Sequence, residues 1–169
     1  TDIDARMAVP LRRAGPRGLP YQVHLPEGYG DHAAWPVILF LHGAGERGDD
    51  GHLQTTVGIG PALRAHPERY PAVVVMPQAP AGGSWHGAVL EGAMAALHHA
   101  VDELATDPDR VYLTGISMGG NGAWSLMHGH AHTFAAVVPI CGWVSRTGRP
   151  AAGADAHLEQ LARSVAATP

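Results

Sequence analysis

The chain contains no lysine and a single cysteine, Cys141. Without lysine there is no G-K-[ST] sequence, so a phosphate-cradling P-loop is excluded. One cysteine excludes an internal disulfide and leaves the redox compartment open. Long apolar runs are missing too. The longest, such as 37–41 (VILFL) and 72–76 (AVVVM), are about five residues each, whereas a membrane-spanning helix needs about 20. Nor is charge of one sign concentrated: 11 basic residues, all arginine, face 15 acidic ones for a net charge of -4. The one basic cluster, Arg12 and Arg13 with Arg17, reads as a solvated loop. A nucleic-acid partner, which needs a basic patch, is therefore not expected. The start, TDIDARM, has neither an initiator Met nor a basic-then-apolar pattern, and cytoplasmic and secreted locations both stay open.

What is present suffices for one core. The 169 residues are 46% hydrophobic and 15% charged, a single domain's length with too much apolar content for disorder. β-rich runs at 21–25, 37–41, 72–76, 110–114 and 134–140 alternate with Gly/Pro breaks and helical patterns. Residues 89–104 place Leu90, Met94, Leu97, Val101 and Leu104 near a 3.6 period, with Asp107-Pro108-Asp109 as the stop. Further helices are expected over 118–128 and 155–165. Continuous apolar strands separated by helices predict an α/β fold with a mostly parallel sheet flanked by helices.

The strongest motif is Gly115-Ile116-Ser117-Met118-Gly119. It fits G-x-S-x-G, which sets a serine on a tight strand-to-helix turn; a strand pattern (RVYLT) precedes it and a helical pattern follows, as the mechanism requires. Ser117 is the candidate nucleophile. The turn His42-Gly43-Ala44-Gly45 directly follows the strand VILFL. In hydrolases of this kind one oxyanion N–H comes from the residue after the nucleophile and the other from such an earlier turn, which selects Met118 and Ala44. Residues 43–48 also spell G-x-G-x-x-G, the dinucleotide-binding fingerprint, with Glu68 twenty residues on. That reading needs a helix to open at the motif, and the glycines and proline that follow argue against one.

These segments, 36–50 (PVILFLHGAGERGDD), 107–124 (DPDRVYLTGISMGGNGAW) and 134–142 (FAAVVPICG), together resemble α/β-hydrolase esterases. The branch is that of predicted peptidases, polyhydroxybutyrate-depolymerase-like enzymes and feruloyl-type carboxylesterases. The resemblance spans most of 20–143. It implies ester hydrolysis through an acyl-enzyme on a small-molecule substrate, with no metal or organic cofactor. Gly51 stands where an asparagine is expected, and Asn121 where an aromatic is common. The resemblance also implies a triad in the order Ser, Asp, His. After the elbow the later candidates are Asp155 and His157, two apart on an expected helix and so on different sides of it. The expectation is therefore a partial α/β-hydrolase domain over 1–169, its C-terminal strands absent and its triad Asp and His beyond Pro169. Such a chain alone has little turnover and leaves the strand 134–140 as an exposed edge. A non-catalytic module whose glycine-rich loops bind a small ligand is the alternative.

Smaller signals have plainer readings. His128, His130 and His132 read as a solvated helix end, and His98 and His99 as an exposed helix face. His42 reads as a brace for the turn rather than a base, and Glu46 and Arg47 as a loop-bracing pair. Cys141 is expected in the core as inert packing. Trp85, after Gly82-Gly83-Ser84, is the candidate substrate-binding wall.

Overall fold

The computed structural model describes residues 12–13, 18–31, 34–130 and 132–144, with isolated positions 159, 162–163 and 165–166 beyond them. Among the described residues six strands form one sheet: β1 (Arg12–Arg13), β2 (Pro20–His24), β3 (Trp35–Leu41), β4 (Val73–Pro77), β5 (Thr106–Ile116) and β6 (Ala136–Ile140). Their order is β1-β2-β4-β3-β5-β6. The first two run antiparallel at one edge, and β4, β3, β5 and β6 are mutually parallel. The sheet is thus mixed, with the expected parallel majority.

Alternation along β3 divides the interior in two, because successive side chains leave opposite faces. Val37, Leu39 and Leu41 enter the larger core with Val73, Val75, Leu113 and Trp85. This core lies under two helices, α2 (Gly87–Glu103) and α3 (Met118–Gly129). Helix α2 buries Leu90, Ala93, Met94, Ala96, Leu97 and Ala100, a stripe at helical spacing. Phe40, Val74 and Met76 point to the other face and join Leu63 of the short helix α1 (Ile59–Ala65). Towards β5 and β6 this second face holds an open groove of about 560 Å³, lined by Ile38, Phe40, Tyr112, Ile116, Val138 and Ile140 among others. Val138 and Ile140 on the edge strand are 58% and 45% exposed.

Three local readings are corrected. Asp107-Pro108-Asp109 does not merely stop a helix. It lies inside β5, which bulges there: Trp35 pairs Thr106, yet Val37 already pairs Val111. Arg110 braces the excursion by donating to Asp107 Oδ2 at 2.7 Å and to the Ala34 carbonyl at 3.1 Å. His99 is not a purely exposed position, since its Nδ1 lies 2.6 Å from the hydroxyl of buried Tyr21. Cys141 is exposed rather than in the core, and follows β6 with φ +42°. Of the helix expected over 155–165, the described positions Glu159, Ala162, Arg163 and Val165 are helical and exposed. Asp155 and His157 lie outside the described residues.

Candidate active site

Parallel pairing of β3 with β5, down to Leu41 opposite Gly115, delivers two turns to the same end of the sheet. The chain leaves β3 into His42 and Gly43 and leaves β5 into Ser117. A Cβ on Gly43 would stand 3.9 Å from the Ser117 Cβ, so the turns are in contact.

Ser117 is half-buried and takes φ +55°, ψ -113°, one of two described non-glycine residues with positive φ. That backbone is disfavoured for an L-residue and persists only where its surroundings hold it. The restraints are specific. The Ser117 N–H donates to the Ile140 carbonyl at 2.9 Å, and its own carbonyl accepts from Asn121 N–H at 3.0 Å. The flanking glycines are required by close approach: a Cβ on Gly119 would run into the Leu41 carbonyl, and one on Gly115 into the Gly119 carbonyl. Asn121, a departure from the expected aromatic, is buried, and its Nδ2 donates to the Trp143 carbonyl at 2.6 Å.

Met118 opens α3, and Ala44 opens a single 3₁₀ turn, Ala44–Glu46. The first N–H groups of a helical turn have no acceptor within it, so both residues carry donors available for an anion. Ala44 is exposed and Met118 has a buried side chain. The helix that dinucleotide binding needs does not open at Gly43–Gly48. After one turn Arg47 is extended, and the next α-helix begins at Ile59.

His42 is fully buried. Its Nδ1 lies 2.6 Å from the Gly43 carbonyl and its Nε2 accepts the Ala79 N–H at 2.9 Å. This network assigns the ring proton to Nδ1. Burial lowers the pKa to about 4; the bond to Gly43 opposes that shift and the Arg47 charge adds to it. His42 is therefore a neutral brace with both nitrogens committed. Trp85 is equally buried, at 0% exposure, and its indole N–H donates to the His42 carbonyl at 2.9 Å. Its ring meets the imidazole edge-on at 5.0 Å, and Gly122 leaves room for it, since a Cβ there would lie 2.5 Å from the Trp85 Cβ. So placed, Trp85 offers no surface to a substrate. It holds the turn instead of walling a pocket.

Arg47 and Glu46 do not brace the loop as a pair. Arg47 donates to the carbonyls of Ala44 at 2.7 Å and Gly83 at 3.1 Å. The residue that sequence reasoning missed is Gln78, fully buried, whose amide meets the Gly51 N–H, the Glu46 carbonyl and the Asp50 carboxylate. A polar residue directly after an all-apolar strand was the available signal. Among the described residues no group of three or more His, Cys, Asp or Glu could hold a metal.

Residues 81–149 match the prolyl oligopeptidase family. No curated protein sequence matches significantly. Among solved structures, a thermostable esterase is 30% identical with a TM-score of 0.70, covering 85% of this chain and 40% of its own. The feruloyl esterase module of Clostridium thermocellum, complexed with sinapinate, is 19% identical with a TM-score of 0.66, covering 86% and 57%. An S-formylglutathione hydrolase from Staphylococcus aureus is 17% identical with a TM-score of 0.62, covering 88% and 65%. The chain spans 40% to 65% of the length of these three structures. It has the α/β-hydrolase fold. Its similarity runs to esterases and, over 81–149, to a peptidase family.

Proposed function

We propose that this chain carries the nucleophile and oxyanion hole of a serine hydrolase acting on carboxylic esters of small molecules. The observation that carries the reading is the strained backbone of Ser117, at φ +55°, in contact with the turn whose Ala44 N–H opens a 3₁₀ helix. Strain of this kind at a strand-to-helix turn exposes a serine Oγ to an incoming carbonyl. In the reaction Ser117 Oγ bonds to the ester carbonyl carbon while its proton passes to a base. The N–H groups of Met118 and Ala44 receive the oxyanion, each worth about 3 kcal/mol of transition-state stabilisation in comparable sites. The C–O bond to the alcohol then breaks and the alkoxide takes the proton. Water repeats the sequence on the acyl-enzyme and releases the acid.

The base and its orienting carboxylate belong, in this reading, outside the described residues. His42 has both nitrogens engaged and cannot serve as the base. The thermostable esterase supports ester over peptide substrates, and the prolyl oligopeptidase match keeps peptide-like esters in range. The test is labelling by a fluorophosphonate in the protein that carries this sequence. Ser117→Ala is expected to abolish it. Persistent labelling would reject Ser117 as nucleophile, and a parent protein that takes no label would leave the small-ligand-binding alternative.

A further inference from the structure

The 42–51 segment is held from one side by the residues that follow β4. At its head, Ala79 N–H donates to the His42 ring and Trp85 to the His42 carbonyl, both at 2.9 Å. Gly48 N–H donates to the Ala79 carbonyl, also at 2.9 Å. At its tail stands Gln78. Its Oε1 accepts the Gly51 N–H at 2.7 Å, and its Nε2 donates to the Glu46 carbonyl at 3.1 Å and to Asp50 Oδ1 at 3.0 Å. Its backbone N–H is spent on the Pro20 carbonyl, which fixes the residue to β2. The space is closed as well, since a Cβ on Gly48 would stand 3.0 Å from Gln78 Nε2.

We infer that Gln78 is a positioning residue for the oxyanion turn. This rests on the serine-hydrolase reading above and adds what sets the Ala44 donor. Ala44 and Glu46 are the two ends of one 3₁₀ turn. His42 pins the residues before it and Gln78 pins its last carbonyl, so the direction of the Ala44 N–H follows from two anchors on the same loop. An amide is the side chain that suits the position. It must accept from one backbone N–H and donate to both a carbonyl and a carboxylate. Glutamate has the shape and lacks the donors; methionine has the volume and lacks both functions. An oxyanion donor works only where it meets the developing charge, and a displacement near 1 Å costs on the order of 100-fold.

The test measures hydrolysis of a p-nitrophenyl ester by the protein that carries this sequence, with turnover counted per fluorophosphonate-labelled site. Gln78→Glu and Gln78→Met are expected to lower kcat by about 10- to 100-fold with KM within about threefold of the parent. Asp50→Asn, at an exposed position, keeps an acceptor oxygen for the same partners and is the milder variant, with a fall of about two- to fivefold in kcat. The double change Gln78→Glu with Asp50→Asn still leaves the Glu46 carbonyl without its donor and is expected to keep the Gln78→Glu loss in kcat. Parent kcat per labelled site in these variants, or a loss confined to melting temperature or KM, would overturn the positioning role. Failure of the underlying reading shows separately, as labelling that survives Ser117→Ala.

Discussion

At the scale of single residues, His42 shows how burial converts a titratable group into a structural one. Its folded pKa is near 4 against an ordinary value of 6.5. Below 6.5 the unfolded chain takes up a proton that the folded chain refuses, so stability falls as pH drops. The loss runs from about pH 6.5 to about pH 4 and then levels, and approaches ~3 kcal/mol. Urea titrations between pH 7 and pH 4 should show this slope in the parent and a shallower one in His42→Gln. Trp85→Phe keeps an aromatic ring but leaves a cavity and removes the donor to the His42 carbonyl; the unmet buried acceptor alone costs about 1–3 kcal/mol, and the cavity adds to it. The same titrations at pH 7 check it. Asp50 illustrates the opposite electrostatic case. Backbone N–H donors of Leu53 and His52, joined by the Gln78 amide, hold its carboxyl below the usual range, so it remains ionised across the working pH range.

Among elements, the β5–α3 junction is the least tolerant. Gly119→Ala puts a methyl group into the Leu41 carbonyl, which is backbone and cannot rotate away. The expected outcome is a destabilisation above about 3 kcal/mol, read as a fall in melting temperature, together with loss of fluorophosphonate labelling. This junction was also the most legible part of the chain, because G-x-S-x-G encodes a steric requirement in residue identity. Strands β3 and β4 and helix α2 were legible for a similar reason: runs such as VILFL and the Leu90–Met94–Leu97 spacing report burial directly. Other features were opaque. Helix α1, with Gly58, Gly60 and Pro61 around its start, carries breakers in place of a period, and Leu63, with Ile59 packed beside it, anchors it in the core. The bulge in β5 hides because Asp107 and Arg110, the second and fifth residues of the strand, look like a loop until their bond is seen. Trp85 and Gln78 were misjudged or missed because a tryptophan after glycines and a glutamine after a strand carry no periodicity. Their roles exist only once β4 and β3 lie side by side.

For the molecule as a whole, the two faces of the sheet are unequal. One lies under α2 and α3; the other, among the described residues, is covered by α1 over β3 and β4 and open over β5 and β6. Apolar side chains at an open edge favour association between copies. The 169-residue chain prepared alone is expected to bind a hydrophobic dye and to sediment as a mixture of species, and Val138→Lys should reduce both. Sedimentation velocity at several concentrations is the check. The arrangement of the elbow has a further consequence, for the order of events during synthesis. Ser117 is held by the carbonyl of Ile140, and Gly120 packs against Gly142. Ribosomes add about 5–20 residues per second, so the anchors of the serine emerge seconds after the serine itself. Until they arrive the Ser117 N–H lacks its acceptor and Gly120 its neighbour, so the contacts that hold the strained backbone are completed only after residues 140–142 have emerged.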